Sequence, residues 1–375
     1  MADRLNVELH LRVLQENLEA LQGALGDLQG LGDAADDLTG SLDENTGASE
    51  ENRRSMESLA AQAAAAGAAL YGLQQAMGAG AEAATEFEKS MAQVSTLLGD
   101  SADIDALSQS VRDLALQYGT DVNNSAEALY NIISAGASDS AEAMATLEAA
   151  TRLAIGGVTD TATAADGLTS ILNAFGIEAS QVTSVSDALF VAMKAGKTTI
   201  GELSDSIGDV APIAAAAGVS LEEVLSATAA ITKGGVGTSE AITQIKAVIS
   251  ELLGPTDQAK AAAEALGLEF SASALEAKGL SGFMAELGEK TGGSAEQINS
   301  LFGSIEAGSA SIALTGKAAE DFGNTLEAMG ERVGQTDGAV GKMEETTAQA
   351  AAKFNAALND VSISLGNAVI AFTPL

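Results

Sequence analysis

TIGELSDSIGDVAPIAAAAGVSLEEVLSATAAITKGGVGTSEAITQIKAVISELLGP, residues 199–255, is punctuated like a run of short helices. Each segment opens on a hydroxyl side chain that can accept hydrogen bonds from the first free backbone N–H groups. Each closes on glycine, which tolerates the left-handed backbone of a helix stop. The spacing predicts Thr199–Ala217 before Gly218, Ser220–Lys233 before Gly234–Gly235, and Thr238–Leu253 before Gly254–Pro255. Ser220-Leu-Glu-Glu223 is a capping box, in which serine and glutamate each satisfy the other's backbone N–H.

The same punctuation extends upstream. It predicts Ser101–Gln117 ending at Gly119, Asp121–Ser134 at Gly136, Ser138–Ile155 at Gly156–Gly157, Thr159–Phe175 at Gly176 and Ser180–Lys194 at Gly196. Helices of this length, closely spaced, define a compact all-α domain over 99–255. The pairs Gly156, Gly157 and Gly234, Gly235 are expected to let consecutive helices turn sharply. Beyond Pro255 the pattern loosens. Asp257–Leu266, Ala295–Glu306, Ala318–Arg332 and Met343–Leu365 read as helices, and 256–375 is expected to be a looser helical linker region. The sequence stops inside an uncharged apolar run beginning at Val361, as a piece of a longer protein would.

The first 98 residues have a different grammar. Val7, Leu11, Leu14, Leu18, Leu21, Leu25 and Leu28 alternate spacings of four and three, the seam of a coiled coil. The register slips at Leu31. Polar residues then occupy the seam at Asn45, Ser49 and Asn52, marking a hinge near 39–52. The seam resumes at Met56 and runs through Leu70 and Leu73 to Leu98. The fold class expected is therefore all-α: long N-terminal coiled-coil helices (1–98), a compact multi-helix domain (99–255) and a looser helical C-terminal region. Leu14, Leu18, Leu21, Leu25, Leu70 and Leu73 are the candidate assembly residues. A lone amphipathic helix is marginal in water, so the stripe needs a partner. That partner is the same chain folded back, another copy or a separate chaperone, with self-association the first expectation.

Composition removes most catalytic classes. With 18 basic and 52 acidic residues the net charge is −34, which repels nucleic-acid phosphates and anionic lipid alike. There is no cysteine, so no disulfide, thiolate metal site or cysteine nucleophile exists, and His10 alone cannot build a zinc site. Ser58–Ala81 is uncharged and long enough to span a bilayer, but Gln62, Gln74, Gln75 and its heptad spacing point to a helix–helix seam. Gly234-Gly-Val-Gly-Thr-Ser239 lacks the lysine and feeding strand of a phosphate loop, and Gly196-Lys197-Thr198 lacks its upstream glycine. The acidic pairs Asp36–Asp37, Glu222–Glu223 and Glu344–Glu345 have no apolar pocket to tune an acid–base pair. No catalytic residue, metal ligand or cofactor is expected, and the protein reads as a non-enzyme.

Residues 85–290 resemble the conserved core of phage tail tape-measure proteins, a core also seen in related contractile injection systems. The resemblance rests, in order, on FEKSMAQVSTLLG (87–99), ALYNIISAG (128–136), LAIGGVTDTATAADGLTSILNAFGIEA (153–179) and SDALFVAMKAGKTTIG…ISELLGP (186–255). It implies a structural tail protein that sets tube length during assembly, occupies the tube lumen or tip and is ejected to assist genome delivery. It implies self-association in three or six copies, contacts with tail tube and distal tail or baseplate proteins, and help from tail assembly chaperones. DNA is met only in passage, and membrane contact is confined to ejection. The location implied is the virion tail, after assembly in the host cytoplasm. Two other readings stay open: an acidic coiled-coil scaffold, which explains the heptads and charge equally well, and the non-catalytic arm of a virion peptidoglycan hydrolase, for which this stretch supplies no catalytic dyad.

Overall fold

A computed structural model of the chain describes residues 82–98, 102–137 and 139–372, with side chains given as far as residue 364. The heptad region up to 81, the hinge at 39–52 and the seam leucines 14, 18, 21, 25, 70 and 73 lie outside the described residues. Every regular element among the described residues is helical, as the punctuation predicts. These elements pack as a multi-helix bundle, and none before Pro255 is a long coiled-coil helix. Residues 86–360 form one compact unit. Residues 1–85 and 361–375 form another, described only at the helical stretches 82–85 and 361–372. Residue 255, where the helix-and-glycine pattern loosens in sequence, falls inside the 86–360 unit.

The helices are α1 (82–95), α2 (Ile104–Tyr118), α3 (Val122–Ser134), α4 (Ser140–Gly157), α5 (Thr161–Phe175) and, after a 3-10 turn at Ala179–Gln181, α6 (Val182–Ala195). Next come α7 (Ile200–Ile207), α8 (Ala211–Ala216), α9 (Leu221–Lys233), α10 (Thr238–Leu253) and α11 (Asp257–Leu266). The later ones are α12 (Ala272–Thr291), α13 (Ala295–Leu301), α14 (Ile305–Thr315), α15 (Ala319–Gly330), α16 (Gln335–Glu344) and α17 (Thr347–Phe372). Aspartates start α2 to α5: Asp103, Asp121, Asp139 and Asp160 each accept the N–H of the residue three places on. The capping box Ser220–Glu223 forms, and Thr199 with Glu202 makes a second.

Several helix bounds differ from the sequence reading: Ala295–Glu306 breaks after Leu301, Met343–Leu365 is divided at Glu345, and two further ends have a clear physical cause. Thr199–Ala217 is two helices, because Pro212 has no N–H and its ring would strike the carbonyl four residues back. The chain therefore leaves the helix after Ile207 and restarts with the proline in the first turn of α8. At the end of α4, Gly156 and Gly157 do not make the turn; they are the last helical residues, and the left-handed position is Val158, at φ 55°. Gly157 is required by packing, since a Cβ there would collide with the Ile200 side chain. Gly234 and Gly235 do lie in the turn after α9, with Gly235 at φ 101°.

The core is organised around α9, which is buried on every face from Val224 to Thr232. It packs against α6, α10 and α15, so helices from both sides of Pro255 share it. Ser226, Ala227, Ala229 and Ala230 keep it thin, and the buried Thr228 and Thr232 return their hydroxyls to the carbonyls of Val224 and Ala229. Equally close is the crossing of α5 and α7, where a Cβ on Gly167 would stand 2.8 Å from the Ser204 Cα. Val158 is 79% exposed, so its β-branched side chain gains nothing from packing to offset its left-handed backbone. Replacing Val158 with glycine should raise stability by about 1 kcal/mol, the cost of a strained non-glycine residue less glycine's extra unfolded-state entropy. Urea unfolding at neutral pH measures it, and a loss of stability would refute the strain.

Candidate functional site

Among the described residues no group of histidine, cysteine or acidic side chains is placed to hold a metal ion. A cleft of about 520 Å³ between α1 and α3 is lined by Glu86, Gln93, Asp121, Asn123, Glu127 and Tyr130 among others. It brings together acids, amides, Ser90 and Tyr130. The polar contacts among the described residues hold helices to one another.

The means of holding is unusual in its use of charge. Asp187 on α6 is 2% exposed, and its two oxygens accept the backbone N–H groups of Gly334 and Thr336, both at 2.8 Å. Those are orphan donors at the start of α16, which has no side-chain cap of its own. Ser186 beside it meets the Thr336 hydroxyl at 3.1 Å. Glu251 on α10 does the same for α14, accepting the N–H of Gly303 at 2.6 Å, the N–H of Ser304 at 2.9 Å and the Ser304 hydroxyl at 2.6 Å. Glu223 serves twice. One oxygen closes the Ser220 box, and the other accepts the Ser281 N–H at 3.0 Å. That N–H is freed because Gly279 (φ 68°, ψ 176°) breaks α12 into two helical pieces. Each carboxylate sits on a helix of 182–253 and caps a helix start in 281–336.

A polar cluster joins α2, α4 and α16. The Tyr118 hydroxyl donates to Glu148 at 2.9 Å, while Arg152 bridges Glu148 and Asp337. Burial, with the Glu148 carboxylate beside it, pushes the Tyr118 phenol above its ordinary value. Asp160 shows the opposite balance. Burial pushes its carboxyl up, but hydrogen bonds from the Thr163 backbone, the Thr163 hydroxyl and Asn124 outweigh that and hold it below the usual range.

Of the residues singled out in the sequence, the seam leucines fall outside the described residues. Gly156 rests against Ala339 of α16, Gly157 against Ile200 of α7, and Gly234 and Gly235 at the α9–α10 turn. Sequence reading missed Asp187, Glu223 as a two-way acceptor, and Glu251. Their partners are backbone amides 52 to 149 residues away, and a backbone amide leaves no mark in a sequence.

The chain has relatives among known proteins. The family described as "Phage-related minor tail protein" matches residues 108–303, from α2 to the end of α13. A "Probable tape measure protein" from Clostridium phage phiCD119 is 27% identical over 290 residues, covering 73% of this chain and 31% of the relative. The chain thus spans about a third of the curated relative it matches. No solved structure matches it. The family match covers more than half of the chain, and the chain belongs to the phage-related minor tail protein family.

Two measurements test this anatomy. Asp187→Ala strands two buried N–H groups and should cost about 2 kcal/mol in urea unfolding, whereas Asp187→Asn keeps one acceptor and should cost less. Asp160→Ala removes a helix cap and should cost about 1 kcal/mol at neutral pH. A depressed folded-state pKa gives stability that is fully present above the unfolded carboxylate value and lost as pH falls through the folded one. The gap between wild type and Asp160→Ala should therefore narrow below about pH 4, the ordinary aspartate range.

Proposed function

We propose that the protein works as a tail tape measure: it sets tube length during assembly, occupies the tube lumen or tip, and is ejected to assist genome delivery. The observation that carries this reading is the family membership together with the match, along most of this chain, to a protein itself described as a probable tape measure. The chemistry of the sequence is in keeping with it. A helix rises 1.5 Å per residue, so residues 5–98 as continuous helix would reach roughly 140 Å, and reach would change linearly with length. A net charge of −34 discourages DNA from adhering as it passes. In this reading the heptad residues Leu14, Leu18, Leu21, Leu25, Leu70 and Leu73 join three or six copies along the lumen. The compact 86–360 unit sits toward the tip against distal tail or baseplate proteins. Chaperones assist assembly in the host cytoplasm, and membrane contact is limited to ejection.

Deleting about 28 residues, four heptads, from the region before residue 81 should shorten the tube by about 40 Å at 1.5 Å per residue. Electron microscopy of the particles reads the result. Tubes of unchanged length would sink the ruler role of that region and leave a tip plug or scaffold as the better account.

A further inference from the structure

The stretch 335–360, made of α16 and the start of α17, is fastened to the rest of its unit almost without apolar burial. Only Thr336, Val340 and Gln349 are buried in it, and Val340 alone of these is apolar. A core helix of the same unit looks different: α12 buries Leu275, Leu280, Phe283, Met284 and Leu287. Burial of apolar surface is what ties an element to its neighbours, and elements that lack it open at lower free energy than the whole. The seat is also incompletely filled. A cleft of about 250 Å³ remains where α16 meets α4 and α6, lined by Glu148, Arg152, Val182, Ser186, Thr336 and Asp337 among others.

Polar contacts do the holding. Asp187 takes the Gly334 and Thr336 N–H groups at the start of α16, and Arg152 pairs with Asp337. Farther on, the Gln349 amide donates to the Tyr118 carbonyl, and Arg112 of α2 pairs with Asp360 at 2.7 Å. Helix α17 comes close to the end of α2, since a Cβ on Gly119 would stand 2.7 Å from the Lys353 nitrogen. That approach joins backbones, and no apolar side chain of 345–360 is buried by it. The stretch carries four acids and two lysines in a protein of net charge −34. Long-range charge therefore pushes it away, and the two arginine pairs hold it down. Within the stretch Lys353 pairs with Glu344 at 2.9 Å, which links α17 to α16.

The chain enters this stretch through a hinge. Helix α15 ends at Gly330, Val333 is 88% exposed, and Gly334 has φ 79°. Arg332 pins the near side, pairing with Glu222 of α9 at 3.0 Å and donating to the Ser184 hydroxyl of α6 at 3.0 Å. Motion is thus free to begin only beyond it, at Val333 and Gly334. We propose that 335–360 is a strap that lifts off α2, α4 and α6 about Val333–Gly334 while 86–332 stays folded. Lifting uncovers the Asp187 carboxylate and the surface around Gly156, against which Ala339 rests. The strap is a conformational device of the 86–360 unit and does not depend on the tape-measure reading.

The protein has no cysteine, so a single introduced thiol reports on one position. Val340→Cys puts a thiol under the strap, and Ser226→Cys puts one in α9, where it is reached only by unfolding the unit. On the full chain, iodoacetamide should label Val340→Cys at least about 100-fold faster than Ser226→Cys. Replacing the two strap acids together, Asp337→Asn with Asp360→Asn, should speed labelling of Val340→Cys by about tenfold and leave Ser226→Cys unchanged. Glu345→Gln, at a strap acid that makes neither arginine pair, should speed neither. Hydrogen exchange on the unsubstituted chain gives the same comparison without a thiol. Amides of 338–344 should exchange at least about 100-fold faster than those of 224–232, because a ten-residue helix without its seat is marginal in water. Three results would overturn the strap: equal rates at the two positions, asparagine substitutions that speed both positions alike, or substitutions that speed neither.

Discussion

Everything in the 86–360 unit leans on one helix that has no outside. Residues Val224 to Thr232 are all buried, and a helix can be surrounded in this way only if its side chains are short enough for neighbours to close in from every direction. Serine, alanine and threonine meet that condition at six of the nine positions, while Val224, Leu225 and Ile231 carry the helix's own apolar area. The rest of the stabilisation comes from larger side chains on the surrounding helices. Leu189 on α6, Ile242 and Ile249 on α10 and Phe322 on α15 supply it, and all are buried. A longer side chain in the middle of α9 would push away helices from both sides of Pro255 at once. The arrangement couples segments that look independent in sequence.

Charge asymmetry shapes the remaining contacts. With 52 acids to 18 bases, most carboxylates have no cation to pair with. The chain instead uses carboxylates as hydrogen-bond acceptors for backbone amides, the one donor present in unlimited supply. Asp187, Glu223 and Glu251 do this between segments, and the aspartate caps of α2 to α5 do it locally. A carboxylate that accepts from a helix start also gains from the helix dipole, so the same charge that repels other molecules holds the fold together. The salt bridges Arg112–Asp360 and Arg332–Glu222 go to places where helices of distant sequence meet.

Much of this was legible where the information is local. Caps and glycine stops delineate α11 to the residue, and the Ser220–Glu223 box is present as read. Pro212 marks the break between α7 and α8, but only to a reader who weighs its missing N–H against an otherwise unbroken alanine-rich run. Ile305–Thr315 escaped notice because IEAGSASIALT is small-residue sequence without a clear polar face; α14 packs on α10 with Ala307, Gly308, Ala310, Ser311 and Leu314 buried. Gly156 and Gly157 look like a stop in sequence, yet they are spacers in a helix whose turn falls on a valine. Of the candidate site, the self-capping residues could be read and the cross-segment acceptors could not, because only folding brings their amides near.

The three cross-segment carboxylates also set an order of release. Along the chain their amide partners lie at 334 and 336 for Asp187, at 303 and 304 for Glu251, and at 281 for Glu223. A force applied beyond residue 360 and drawing the chain out from that end would meet them in that sequence, one fastening after another. Each fastening spans only a few hydrogen bonds, so what resists such a pull is the packing on α9 that both segments share.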